Sequence, residues 1–245
     1  MSLGSSLNAP PVPAAPLEAP PRHRLMATFL PLALVVAYPL FGWLLVSIVL
    51  PALRPAGQLL VDLVNETVAW SYMLLALGFM LRGGRRPAAL IGLGRPGWRT
   101  LGLGIAAAIA TVLLSNVTAS VTYGLLGRAP PSNAAAAAMT HGSVVYAVLL
   151  ALRAGVVEEV LYRGIAIELL TELTGLRWAA AAVSLLLFVV PHAIVFDWAQ
   201  LVPIAAAGLV MTLLYLWRRD LWANMLAHSL VDAFGLVLLT LGASG

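Results

Sequence analysis

The sequence predicts an all-α protein, a polytopic integral membrane bundle of about seven helices. Hydrophobic residues make up 61% of the 245 residues and charged residues 10%, and the mean hydropathy is +0.96. This composition leaves too little polar surface for a water-soluble globule. The apolar residues also form several runs of about 20, the length that a helix needs to cross a bilayer. The lipid bilayer is therefore the first expected partner of this chain.

Composition also excludes several kinds of function. The net charge of +4 comes from arginines at the ends of apolar runs, where they set topology, so we do not expect nucleic-acid binding. Cysteine is absent, which excludes disulfides, thiolate metal sites and a cysteine nucleophile. All 14 basic residues are Arg, a bias typical of a GC-rich bacterial genome.

The chain divides into a tail, an N-terminal group of helices and a C-terminal core. Residues 1–24 are rich in Pro and Ala and cannot bury a core, which predicts a disordered tail. Residues 25–142 contain three predicted spans, and residues 143–245 contain four more. Residues 165–174 are predicted to continue the fourth span as an interfacial helix. The predicted spans are Ala27 to Leu50, Leu59 to Leu81, Leu101 to Leu126, Val145 to about Ala166, Ala179 to Phe196, Leu201 to Trp217 and Trp222 to Leu241.

Arginines near the span ends indicate which links face the cytoplasm. They cluster before the first span, between the second and third, and after the sixth, whereas the first and third links hold Arg54 and Arg128. The positive-inside rule places the three clusters in the cytoplasm. We therefore expect an integral protein of the bacterial inner membrane whose N-terminus is cytoplasmic and whose C-terminus is outside.

Ionisable side chains recur inside the fourth span, where each costs a few kcal/mol unless it has a partner or a function. Three of them, Glu158, Glu159 and Arg163, lie in one string of six residues. On an α-helix Glu159 and Arg163 are four residues apart with the acid first, which favours an ion pair. Glu158 points about 100° away from Glu159 and has no opposite charge one turn along its own helix. It is predicted to be the free carboxylate.

Two later spans each place a histidine four residues from another motif residue. Phe188 and His192 share a face of the fifth span, and Pro191 removes a backbone donor and predicts a kink. His228 and Asp232 share a face of the seventh span, so the carboxylate can bind the ring and fix its tautomer. Phe188 is interpreted as packing, and Asp232 as either catalytic or supporting. We expect three helices to bring these polar groups together.

A second polar set lies in the second span. Asp62, Asn65 and Glu66 put two acids four residues apart with no basic residue in the same span. One interpretation is an ion path through the bundle, and the other is a set that faces a wet cavity or the outer end of the span.

The three C-terminal motifs resemble those of the CAAX prenyl protease and bacteriocin-processing family of intramembrane endopeptidases, also called the type II CAAX protease or Abi family. The family pattern Glu-Glu-x-x-x-Arg is similar to residues 158–163, Phe-x-x-x-His to residues 188–192, and His-x-x-x-Asn/Asp to residues 228–232. The resemblance covers residues from about 143 to 242, and the N-terminal helices match by hydropathy. The sequence has no His-Glu-x-x-His zinc helix and no Gly-x-Ser-x-Gly elbow.

The resemblance implies an endopeptidase that hydrolyses a peptide or protein substrate at the membrane without a resident cofactor. It implies that Glu158 and His192 activate a water, and that His228 and the residue at 232 stabilise the oxyanion. The prenyl-processing members have Asn where this chain has Asp232, which donates a hydrogen bond only when protonated. The positions that the resemblance assigns to the structural part of the motifs are Glu159, Arg163 and Phe188.

Two alternatives remain open at this point. A zinc protease would use Glu158, His192 and His228 as a His₂Glu site with an open fourth position. A non-catalytic membrane protein would be a proton-coupled carrier or a bacteriocin-immunity protein. A carrier needs a continuous polar path that includes Asp62 and Glu66, whereas a protease tolerates their loss if they are structural.

The charge bias generates a topological prediction. Reporter fusions at the two ends of the chain are expected to show the N-terminus in the cytoplasm and the C-terminus on the opposite side. Two reporters in the same compartment would show that the number of spans is even.

Overall fold

The computed structural model describes residues 21–83, 85, 87–129, 140–194 and 196–242. Every regular element in these ranges is helical and none is a strand, which confirms the all-α prediction. Of the predicted tail, residues 1–20 lie outside the described part of the chain. The first helix starts at Pro21, inside the predicted tail. Proline is tolerated there because the N–H groups of the first helical turn have no acceptor within the helix, so the N–H that proline lacks costs no hydrogen bond.

Eight α-helices of seven or more residues carry the described fold. They are α1 Pro21–Leu44, α2 Gln58–Arg82, α3 Trp98–Leu125, α4 Val144–Glu158, α5 Glu168–Thr174, α6 Arg177–Val189, α7 Leu201–Arg218 and α8 Leu221–Gly242. α1 is prolonged as far as Ala56 by a π-turn, a short α-turn and a 3₁₀ turn, and a four-residue helix, Pro87–Leu90, lies between α2 and α3. A π-helix, Glu159–Ile167, joins α4 to α5, and a 3₁₀ turn, Val190–Ile194, follows α6.

Six helical stretches in the described residues are long and apolar enough to cross a membrane. They correspond to six of the seven predicted spans. The predicted fourth span is the continuous helix 144–174, which carries Arg153, Glu158, Glu159 and Arg163 along its central part. These charges set it apart from the six apolar helices, so the observed count is close to the predicted one. The chain is an integral membrane protein.

Close helix packing surrounds the charged helix. α8 packs most extensively against α4 and α3, and α7 packs against α3 and α6. Gly155 of α4 faces α8, where a Cβ would lie 2.7 Å from the Ser229 backbone nitrogen and 3.0 Å from the Met225 carbonyl oxygen. Small residues allow such close backbone approach between membrane helices. Gly155 therefore sets the distance between the two helices that carry most of the candidate site.

The π-helix lies in the centre of the bundle. All nine residues of Glu159–Ile167 are buried, with α1, α6 and α8 packed around them. An ordinary α-helix was expected here, and the structure has a wider turn. Runs of π-helix are rare and often coincide with functional sites. Packing on every side stabilises a turn that local propensity alone does not favour.

α5 is buried at its start, where Glu168 and Leu169 lie in the bundle, and exposed at its end, from Glu172 to Thr174. Its interfacial position stays a prediction. Glu168 is 7% exposed, and its carboxylate accepts hydrogen bonds from the Tyr215 hydroxyl at 2.9 Å, from Arg177 at 3.0 Å and from Arg219 at 2.9 Å. These donors come from the start of α6, from α7 and from the residue after α7, and the last two are more than 45 residues away from Glu168 in the sequence. They compensate the charge, so the carboxylate can be buried.

Substitution at Gly155 is expected to destabilise the bundle. Gly155→Ala introduces a Cβ into the α4–α8 contact, and overpacking of this kind costs about 1–3 kcal/mol of stability. The thermal unfolding temperature of the detergent-solubilised protein should fall. Gly78→Ala is the matched control, because a Cβ on this helical glycine meets nothing within 4 Å. Equal unfolding temperatures for the two variants would contradict the close contact.

Candidate active site

Glu159 is the most highly coordinated carboxylate of the motifs. It is 0% exposed, and Arg163 donates to its Oε1 at 2.9 Å, so the predicted ion pair is present. The His228 Nδ1 lies 2.8 Å from the same oxygen, and the Asn224 amide donates to Oε2 at 3.1 Å. A buried carboxylate is tolerated when it is paired and hydrogen-bonded in this way. The ion pair on the fourth predicted span thus extends to α8.

Arg163 connects the π-helix to α6 and α7. Its second guanidinium nitrogen donates to the Gly208 carbonyl at 3.0 Å, and its Cζ lies 4.5 Å from the centroid of the Phe188 ring. A cation over an aromatic face is attracted by the ring quadrupole. A Cβ on Gly208 would lie 2.9 Å from the Phe188 Cδ1, so glycine makes room for the ring.

Phe188 lies between the two histidines. Its ring centroid is 5.1 Å from that of His192 and 6.0 Å from that of His228, and it meets Tyr162 edge-on at 5.7 Å. The side chain is 5% exposed. Phe188 therefore packs against both motif histidines, which agrees with the packing role predicted for it.

His192 occupies the 3₁₀ turn that follows α6. Its Nδ1 lies 2.8 Å from the Phe188 carbonyl oxygen. A carbonyl accepts and cannot donate, so Nδ1 carries the hydrogen, and Nε2 of the neutral ring keeps a lone pair. The kink predicted at Pro191 takes the form of a change from α-helix to 3₁₀ turn after Val189. This turn presents a half-buried imidazole with a basic nitrogen.

His228 lies between two carboxylates. Its Nδ1 is 2.8 Å from Glu159, whereas its Nε2 is 3.5 Å from the Asp232 Oδ2. Asp232 was expected to orient the ring, and the shorter contact shows that Glu159 does so more closely. The Asp232 side chain is 32% exposed and stands at the other ring nitrogen.

Glu158 contrasts with its neighbour. Its side chain is half-buried, and among the described residues it forms no hydrogen bond or ion pair. Tyr38, Arg153 and Tyr162 lie within electrostatic range of its carboxylate. The prediction of a carboxylate without a direct partner therefore agrees with the described part of the structure.

Three participants were missed by the sequence interpretation. Asn224 precedes His228 by four residues, a spacing that could have placed it on the same helix face. Arg153 is a charged residue inside the fourth predicted span, but it precedes Glu158 by five residues. A search for partners three or four residues away on the same helix does not reach it. No sequence pattern indicated Tyr38 of α1, because its proximity to the site depends on how α1 packs against the other helices.

The second polar set is also partnered across helices. The Glu66 Oε1 accepts from the Arg153 Nε at 3.1 Å, and Asn65 donates to the Tyr146 hydroxyl at 3.2 Å. Asp62 accepts from Gln58 at 2.8 Å. The basic partner of Glu66 therefore comes from α4, and a search confined to the second span could not find it.

The residues of the zinc alternative do not fit a metal site as they are placed. Within the described ranges, no three His, Asp or Glu side chains are grouped so that they could hold a metal ion. Zinc therefore has no part in the mechanism proposed for this site.

Comparison with known proteins supports the resemblance noted from the motifs. Residues 140–234 match the family model described as type II CAAX prenyl endopeptidase, Rce1-like. This segment contains all three motifs. No curated protein and no solved structure matches the chain. The match supports, in general terms, a membrane endopeptidase with a peptide substrate at the membrane.

Loss of Arg163 is expected to harm folding. Arg163→Ala leaves the buried Glu159 without its cation, and breaking a buried pair from one side costs about 3–5 kcal/mol. The double variant Glu159→Gln with Arg163→Gln removes both charges and should unfold at a higher temperature than Arg163→Ala. Arg128→Ala is the control, since its ion pair with Asp197 is exposed and 3.7 Å long. A double variant no more stable than Arg163→Ala would refute the pairing.

Proposed function

We propose that this protein is an intramembrane endopeptidase of the CAAX-protease type, in which Glu158 and His192 activate the attacking water. The observation that carries the proposal is the contrast between two adjacent glutamates. Glu159 is fully buried and bound by three donors, whereas Glu158 is half-buried and has no hydrogen bond or ion pair with a described residue. A general base needs a lone pair that no other donor occupies.

In this mechanism Glu158 accepts a proton from the water as its oxygen attacks the scissile carbonyl carbon. The tetrahedral intermediate then collapses, the C–N bond breaks, and Glu158 returns the proton to the leaving amine. The products are one peptide with a new carboxylate and one with a new amine. His192 is suited to hold the water through Nε2, because its Nδ1–H is directed to the Phe188 carbonyl.

His228 would stabilise the negative charge that develops on the carbonyl oxygen. Its Nδ1–H donates to Glu159 at 2.8 Å, which fixes the direction of Nε2, and Nε2 donates to the oxyanion when the ring is the imidazolium. Preorganised donors of this kind often supply a large share of the rate enhancement. Asp232 stands 3.5 Å from Nε2 and either donates to the oxyanion when protonated or orients His228 through its charge.

We also propose the orientation that the arginine distribution predicts, with the N-terminus in the cytoplasm and the protein in a bacterial inner membrane. The peptide substrate need not be prenylated in this proposal, since the chemistry described above involves the peptide bond alone. No resident metal ion takes part in it.

Loss of Glu158 should abolish cleavage without loss of protein. Wild type in lipid vesicles is tested on internally quenched peptides ending in a Cys-aliphatic-aliphatic-x sequence, in farnesylated and unmodified forms. Glu158→Gln keeps the side-chain size, and losing a general base lowers kcat by about 10²- to 10⁴-fold. His192→Ala should match it, and the double variant should lose little more because the two residues act on one water. Asp62→Asn, which alters an acid outside the motifs, should cleave at the wild-type rate.

The outcomes separate the proposal from its alternatives. A folded Glu158→Gln variant that cleaves at the wild-type rate refutes the glutamate mechanism. Activity that disappears with a chelator and returns with zinc supports the zinc alternative. A wild type that cleaves neither peptide, and produces no new termini in the membrane proteome compared with Glu158→Gln, supports a carrier or an immunity protein.

The role of Asp232 can be tested separately in the same assay. If Asp232 donates a hydrogen bond to the oxyanion, Asp232→Asn preserves or raises kcat, because an amide is a permanent donor. If the charge of Asp232 orients His228, the same substitution lowers kcat.

A further inference from the structure

An ion pair that joins α2 to the matched segment lies near the candidate base. Glu66 of α2 and Arg153 of α4 are joined at 3.1 Å, and their side chains are 19% and 16% exposed. Residue 66 lies outside the segment 140–234 that matches the family model. Arg153 is within electrostatic range of Glu158, yet the two side chains form no ion pair with each other. The Arg153 guanidinium is therefore near Glu158 while it is bonded to Glu66.

Tyr38 of α1 completes this cluster. Its hydroxyl is within range of Arg153, Glu66 and Glu158. Its ring meets Tyr162 edge-on at 6.5 Å, and Tyr162 in turn meets Phe188, the ring that contacts both motif histidines. An unbroken series of side-chain contacts thus leads from α1 to the two histidines.

We propose that Arg153, anchored by Glu66 beside Tyr38, is a positioning residue that holds the carboxylate of Glu158 in its working place. This inference rests on the proposed function. It assigns α1 and α2 a part in the reaction, because they supply Tyr38 and Glu66. It also gives the acid at 66 a role other than that of an ion path.

Charge balance explains why the anchor matters. The Arg153 guanidinium is bonded to Glu66 and lies within electrostatic range of Glu158, in a half-buried place where charges interact more strongly than they do in water. With Glu66 holding its Nε, Arg153 attracts Glu158 without bonding to it, and the base keeps its lone pair. If the anchor were lost, the guanidinium could turn to Glu158 and occupy that lone pair. If the cation were lost, Glu66 and Glu158 would both lose the positive charge near them.

A structural ion pair is the simpler account of Glu66 and Arg153. It predicts that any pair of opposite charges at these two positions is adequate. The positioning account requires the cation to lie on α4, on the side of Glu158. The two accounts therefore differ in what happens when the charges are exchanged between the helices.

The test is the exchange Glu66→Arg with Arg153→Glu, assayed with whichever quenched peptide the wild type cleaves. The exchanged pair should unfold at a higher temperature than Arg153→Glu alone. Its kcat should stay about 10- to 100-fold below wild type with KM nearly unchanged, since small misplacements of a reacting group cost up to about 10²-fold. The positioning role is overturned if the exchange restores both stability and kcat.

A second pair of variants keeps the test decisive if the exchanged protein does not fold. Glu66→Gln with Arg153→Gln buries no uncompensated charge and should fold with a similarly low kcat, whereas Arg153→Lys should retain a larger share of kcat. Wild-type kcat in the double Gln variant overturns the inference. The control is the same exchange at Arg85 and Glu172, an ion pair that involves the far end of helix 144–174, which should leave kcat unchanged.

The assay separates this inference from the proposed function. If Glu158→Gln is inactive while the exchanged pair cleaves normally, the inference fails and the protease remains. If Glu158→Gln itself cleaves normally, the proposed function fails first.

Discussion

A negative charge inside the bilayer has to be neutralised where it stands, and in this bundle that charge is Glu159. Its two oxygens receive donors from Arg163, His228 and Asn224, which belong to two different helical elements. Arg163 extends the network to a carbonyl of α7 and to the aromatic face of Phe188 on α6. The relative placement of the π-helix, α6, α7 and α8 thus depends on one buried carboxylate. The close approach at Gly155 and Gly208 allows this network to form.

Glu158 and Glu159 are adjacent and chemically identical, but their environments differ. On a helix, consecutive side chains diverge by about 100°, so Glu159 faces α8 while Glu158 points away from it, within electrostatic range of Tyr38 on α1. The Glu159 carboxylate accepts three hydrogen bonds, whereas the Glu158 carboxylate accepts none from a described residue. In both motif histidines Nδ1 is engaged, by the Phe188 carbonyl in His192 and by Glu159 in His228, and the Nε2 of His228 lies 3.5 Å from Asp232.

The sequence was sufficient for whatever depends on hydropathy or on spacing within one helix. The helical class, six of the spans and the Glu159–Arg163 pair follow from runs of apolar residues and a four-residue interval. Contacts between helices that are distant in the chain could not be predicted in the same way. The bond from Glu159 to His228, the pairing of Glu66 with Arg153 and the burial of Glu168 each require knowing which faces meet. The π-helix was missed because buried packing, rather than propensity, stabilises it.

The length of the π-helix has a consequence for the evolution of this chain. Removing one residue from Glu159–Ile167 would tighten it towards an α-helix and turn everything beyond it by about 100°. Glu168 would then no longer face Tyr215, Arg177 and Arg219. Side-chain replacements within the segment leave this angular offset intact, whereas insertions and deletions do not. The number of residues between Glu159 and Glu168 is therefore a stricter requirement of this fold than the identity of the side chains between them.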